Sequence, residues 1–174
     1  MQDNVERKDV ADRKKEVIDG YLDRFVAQGL SDTSVRDLGE SIQMQSGSLY
    51  WYFSNKDDAV IACAEAASVR LETNLIVPAV KDVLEHEIMF GHLLLSADEM
   101  APTMRFFAQV CSTPKYVDKV QPILNRLSKR YDFYSLKLAE ALRCQVGDAE
   151  TVMYMCIAAF TNYMIFGDKK HISS

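Results

Sequence analysis

With 174 residues, of which 48% are hydrophobic and 26% charged, the chain has ample apolar material for a core, which excludes an intrinsically disordered polypeptide. A formal net charge of −5 excludes a protein that holds nucleic acid mainly through bulk electrostatics, so any DNA contact must be local. No apolar run approaches the roughly 18 to 20 residues of a membrane span, and Met1 to Lys15 is charged rather than leader-like, so a cytoplasmic protein with no membrane partner is expected.

Few prolines and glycines interrupt the chain, and apolar residues recur at spacings of three and four, which predicts an all-α fold without strands or repeats. A first helix is expected from Asp12 to Gln28, with Val17, Ile18, Tyr21, Leu22 and Phe25 on one stripe, Gly29 as left-handed terminator and Leu30 folding back. Arg7, Lys8, Arg13, Lys14 and Lys15 interleave with Glu6, Asp9, Asp12 and Glu16. They read equally as a solvated helix start and as a phosphate-binding arm.

Ser34, with Asp37 three positions on, signals a capping-box start for a second helix ending near Ile42. A third, short helix runs from Gln45 or Ser46 to Tyr52, and Asn55 caps a fourth from Lys56 or Asp57 to Leu75. Further helices are expected over Ala79 to Leu95, Pro102 to Cys111, Pro114 to Arg143 with a kink or split at Pro122, and Asp148 to Phe166. Gly147 makes the last connection short, so the last two helices are antiparallel neighbours.

The second and third helices, joined by Gln43-Met44 and preceded by a longer helix, form a helix-turn-helix unit. Val35, Leu38 and Ile42, Leu49 and Phe53, and Ile18, Leu22 and Phe25 close one small core. Gln45, Ser46, Gly47, Ser48, Tyr50, Trp51 and Tyr52 are left facing outward, a surface of hydroxyl and amide groups unusual for a merely solvated helix.

Arg13 to Ala66 resembles the DNA-binding module of the TetR family of bacterial regulators. Phe25 and Gly29, Thr33-Ser34-Val35-Arg36-Asp37-Leu38, Gly47-Ser48-Leu49-Tyr50-Trp51-Tyr52-Phe53 and Asn55-Lys56-Asp57 follow the family's T-x-x-x-I/L and G-T/S-L-Y-x-Y-F-x-x-K pattern in order. The resemblance implies a DNA-binding domain over 1–56, a helical ligand-binding and dimerisation domain over 57–174, and a ligand-responsive repressor acting as a homodimer on a palindromic double-stranded DNA operator.

Carried over, the resemblance places Gln45, Ser46, Gly47 and Ser48 in the major groove, with Gln45 able to pair two-fold with adenine. Tyr50 and Tyr52 would meet phosphates, Lys56 would hold one at a helix N-terminus, and Ser34 and Arg36 would face the backbone. The chain departs from the pattern in four places. Ser46 stands where lysine is common, Trp51 where arginine is common, Gln43 where glycine makes the turn, and Gly20-Tyr21 replaces a pair of alanines, which suggests altered packing against the third helix. The recognition helix therefore carries no charge, and Trp51 either packs on sugar or a thymine methyl or is buried against the fourth helix.

Beyond Pro78 methionine and aromatics abound. They are adaptable linings, and the resemblance implies an effector site among the helices from 78 to 145. Phe90, Met104, Phe107, Cys111, Tyr131 and Tyr134 are the candidates, each also readable as plain core, for a small apolar or amphipathic effector. Val152, Met153, Met155, Cys156, Ala159, Phe160, Tyr163 and Met164 make the last helix apolar nearly all round, which points to a homodimer through the last two helices.

No cofactor, metal or catalytic residue is expected. His86, His92 and His171 are scattered, no catalytic motif occurs, and Glu85-His86-Glu87 reads as a solvated face. Cys63, Cys111, Cys144 and Cys156 form no Cys-x-x-Cys pair and read as buried thiols, with redox sensing as the sharper alternative. The rival to a regulator is a helical interaction protein that keeps the module but has lost specific DNA binding.

Overall fold

The computed structural model describes residues 2–44, 49–86 and 91–167, and all regular structure among them is helical. The α-helices are α1 (Gln2–Gln28), α2 (Val35–Ser41), α3 (Leu49–Tyr52), α4 (Lys56–Leu71), α5 (Val77–His86), α6 (Gly91–Ser112), α7 (Val117–Leu142) and α8 (Val146–Phe166). A π-helical turn, Glu72–Ile76, joins α4 to α5. Two compact units result: Met1–Ala67 with Phe106–Lys119, and Ser68–Arg105 with Val120–Ser174. The first reaches beyond the 56-residue module and takes in the end of α6 and the start of α7.

In the first unit, α1 begins well before Asp12, because nothing between Gln2 and Asp12 is a proline or glycine that would stop it. It ends as expected. Gly29 adopts φ +90° and donates its N–H to the Phe25 carbonyl at 2.8 Å, while the Thr33 hydroxyl donates to the Gly29 carbonyl at 2.7 Å. The core holds Tyr21, Leu22 and Phe25 of α1, Leu38 of α2, Phe53, and Val60 and Cys63 of α4. Ile18, Val35 and Ile42 sit half-buried at its margin. Phe106 stacks on Phe25 with ring centres 5.5 Å apart.

Gly20 sets how closely α1 meets the end of α2. A Cβ there would lie 2.6 Å from Ile42 Cγ2, so the change from alanine acts on the end of α2, not on the third helix as expected. The neighbouring Tyr21 does reach the end of α3, its ring 6.0 Å from that of Phe53.

In the second unit Pro78 explains the π-helical turn. It has no N–H to donate, and in an α-helix its ring would crowd the carbonyl four residues back. Widening the preceding turn, with the Val77 N–H donating to the Glu72 carbonyl, relieves that crowding, so helix continues where a break at Pro78 was expected. Pro102 likewise does not start a helix. It lies inside the 22-residue α6, where burial of Leu93, Ala97, Met100 and Ala101 outweighs one missing hydrogen bond. Pro122 does not split α7, which is a single helix of 26 residues. Among the described residues no helix is long and apolar enough to cross a membrane.

The cysteines are not uniformly buried. Cys63 is buried, Cys111 and Cys156 are partly buried, and Cys144 is exposed just beyond the end of α7. Burial pushes the Cys111 and Cys156 thiols up, away from the thiolate that redox chemistry needs.

Candidate functional site

Helix α2 starts on the expected capping box. The Ser34 hydroxyl accepts from the Asp37 N–H at 3.2 Å, and the Ser34 N–H donates to Asp37 Oδ2 at 2.7 Å. These bonds from the Ser34 hydroxyl and N–H hold the Asp37 carboxyl below the usual aspartate range. The helix closes at Ile42, and the chain turns through Gln43 at φ +55°, a left-handed conformation that costs a residue with a Cβ. Met44 then donates back to the Gly39 carbonyl at 2.9 Å. Gly39 is buried, and Gln43 stands where the resemblance expects glycine.

Gln45, Ser46, Gly47 and Ser48 lie outside the described residues. On α3, Trp51 is 85% exposed and Tyr50 63%, whereas Tyr52 is half-buried and Phe53 is buried. Trp51 is therefore not a ring buried against the fourth helix. Two neighbouring aromatic side chains stand in solvent on a small module whose core is otherwise closed.

The charged candidates are engaged locally. Arg36 is exposed and pairs with Glu40 at 2.8 Å. Lys56 donates its ammonium to the Leu30 carbonyl at 3.2 Å and to the Thr33 carbonyl, and sits 6.0 Å from the centre of the Phe25 ring. It braces the connection between α1 and α2. An ammonium has three N–H donors, so one remains for a phosphate. In the basic arm, Arg13 pairs with Glu16 at 2.7 Å and Lys14 lies 5.4 Å from the Phe53 ring centre.

Residues 18–63 match the model of a protein family described as bacterial regulatory proteins, tetR family. The N-terminal segment is a TetR-family domain. No curated protein and no solved structure matches the chain. The TetR-type segment falls wholly within the first compact unit, contains both exposed aromatics, and gives the chain the function of a DNA-binding transcriptional regulator.

A second set of contacts in this unit had no sequence signal. At the N-terminus of α4, Asp57 accepts from Lys115 at 2.7 Å and from the Tyr116 hydroxyl at 2.9 Å, and Asp58 lies 3.8 Å from Lys119. Lys115 is the main cause that lowers the Asp57 carboxyl, while burial and Asp57 push Tyr116 up to about 12. Asp57 and Tyr116 are separated by 59 positions, beyond any local pattern.

The six residues expected to line an effector site are not gathered in one unit. Phe90 lies outside the described residues, Phe107 and Cys111 belong to the first unit, and Met104, Tyr131 and Tyr134 to the second. Tyr134 is taken up by a polar cluster with buried Glu72 and exposed Arg130: its hydroxyl donates to Glu72 at 2.6 Å and accepts from Arg130 at 3.1 Å, and Arg130 also pairs with Glu72. Tyr131 packs edge-on against Tyr154 at 6.2 Å, and burial pushes it up to about 12.

The second unit instead contains an apolar pocket of about 580 Å³ counted to its open mouth. Ile76, Ala79, Val80 and Val83 form one wall, with Leu93 of α6 and Leu138 and Leu142 of α7 beside them. Ala149, Val152, Met153, Cys156 and Ile157 of α8 form the other wall. None of the six expected residues lines it. The signal in the sequence is the aliphatic stripe at spacings of three and four from Ile76 to Val83. Glu85, in the expected solvated cluster, lies 3.7 Å from Lys81 on the same helix.

Proposed function

We propose that the chain is a ligand-responsive repressor that acts as a homodimer on a palindromic operator. The observation that carries DNA recognition is the exposure of Tyr50 and Trp51 on α3 of a TetR-type segment. An uncharged recognition helix reads DNA by stacking, hydroxyls and amides, with Gln45, Ser46, Gly47 and Ser48 preceding these rings in the groove and Tyr52, Ser34, Arg36 and the free N–H of Lys56 toward phosphates. Homodimerisation is supported by α8, where Tyr154 at 45% exposure, Met155 at 67% and Phe166 at 76% lie on the side turned away from buried Ala149, Met153, Phe160 and Met164. Two copies joined there would present two recognition helices to half-sites roughly 34–36 Å apart. The pocket of the second unit is where an effector would bind, and release would follow from its differential affinity for two conformations.

The test is selection of bound duplexes from a random pool at low salt. A palindromic consensus is expected, with Trp51→Ala and Tyr50→Phe weakening all sequences and Gln45→Ala relaxing one position. Met155→Glu with Phe166→Glu should give a monomer in sedimentation and lose on the order of 100-fold in affinity for the palindrome. No enrichment of any sequence would favour the rival reading, an interaction protein, to which the pairing of Arg36 with Glu40 and the engagement of Lys56 lend support.

A further inference from the structure

The pocket of the second unit is unusual in what it lacks. Every residue that lines it is aliphatic, alanine, methionine or cysteine, and no lining side chain is an acid, base, amide or hydroxyl. The one polarisable group with a proton is the Cys156 thiol, and burial holds it neutral. Glu72, Arg130 and Tyr134, which form a polar cluster in the same unit, are not in the lining. The Glu72 carboxylate receives both Tyr134 and Arg130, and Tyr134 in turn packs with Val80, Leu138 and Met153 in the apolar cluster behind the pocket.

Two of the lining residues are small, Ala79 on α5 and Ala149 on α8. The hollow is open at its mouth, and its volume of about 580 Å³ includes that open space. On helix α8, Ala149, Val152, Met153 and Cys156 face the pocket, while the exposed Met155 and Phe166 lie farther round the helix.

We infer that this pocket binds an uncharged small molecule of largely hydrocarbon character, held by shape and apolar contact with no ion pair or hydrogen bond. A charged or strongly polar ligand would have to shed its water against walls that give no partner in return. An uncharged one loses nothing by entering and releases the poorly bound water of an apolar surface. The inference rests on the proposal that the chain responds to an effector, and it names the class of that effector.

The full chain is titrated with Nile red, an uncharged fluorophore, and the dye is then displaced with decanol or decanoate, which share one alkyl chain and differ in charge at neutral pH. Saturable binding is expected, with decanol displacing the dye at least tenfold more strongly than decanoate. Ala149→Phe should weaken both dye and decanol at least tenfold with an unchanged helical circular-dichroism spectrum; Ala79→Leu, a smaller filling of the opposite wall, serves if the first variant misfolds. Equal displacement by decanoate, absence of saturable binding, or unchanged affinity in a folded variant overturns the inference. Retention of selected duplex DNA is measured on the same samples. Binding of DNA without the dye defeats this inference and leaves the regulator standing, whereas binding of the dye without DNA does the reverse.

Discussion

The two compact units solve the burial problem differently. In the first, α1, α2 and α4 close on Tyr21, Leu22, Phe25, Leu38, Val60 and Cys63, each at most 1% exposed, and the large apolar side chains left in solvent on α3 are Tyr50 and Trp51. In the second, an apolar pocket stays open among α5, α6, α7 and α8, and α8 leaves Met155 and Phe166 uncovered. A closed core holds a reading surface rigid, whereas an incomplete one leaves places for something else to complete it.

Removing bulk from the closed core should have the largest effect. Phe25→Ala takes away the ring that stacks on Phe106 and underlies Lys56, and should cost about 3–5 kcal/mol in urea unfolding. Adding bulk separates the units most directly. Ala64→Leu, at a fully buried position of the first unit, should destabilise by about 1–3 kcal/mol through overpacking, while Ala149→Leu, which faces the pocket, should cost less than about 0.5 kcal/mol. An equal loss at both positions would abolish the contrast. Tyr134→Phe tests whether the second unit depends on its polar cluster as much as on apolar contact; removing a donor from buried Glu72 should cost about 1–2 kcal/mol.

A smaller gain is expected from Gln43→Gly, which releases left-handed strain in the turn and should stabilise the first unit by roughly 0.5–1 kcal/mol in thermal unfolding. The smallest effect is that of pH. The carboxyls of Asp37 and Asp57 are lower in the folded chain than in an unfolded one, so their contribution is complete above the ordinary aspartate range, near about pH 4, and is lost as the pH falls through the folded values. Asp57→Asn should flatten this acid limb in pH-dependent unfolding, and it acts in the first unit alone.

What could be read in advance was what local chemistry decides. Gly29 had to end α1 because the chain there turns left-handed, and Ser34 with Asp37 had to start α2 because their groups satisfy the open N–H groups of its first turn. Pro102 misled for the same reason: as a local signal it stops helices, but the burial of its neighbours is stronger. Lys56 matched a motif position, yet which oxygens its ammonium meets depended on where the chain after Gly29 passes. The pocket was hardest to read, since an alanine beside a void and an alanine in close packing are the same letter.

The close approach of Gly20 to Ile42 ties two distant positions into one evolutionary unit. Any side chain at 20 needs room that Ile42 Cγ2 occupies, so a descendant that acquires alanine at 20 must shift or trim the side chain at position 42 in the same lineage. Such paired changes, tracked through diverging copies of this module, would record in sequence alone how near its first helix runs to the turn that presents the DNA-reading rings.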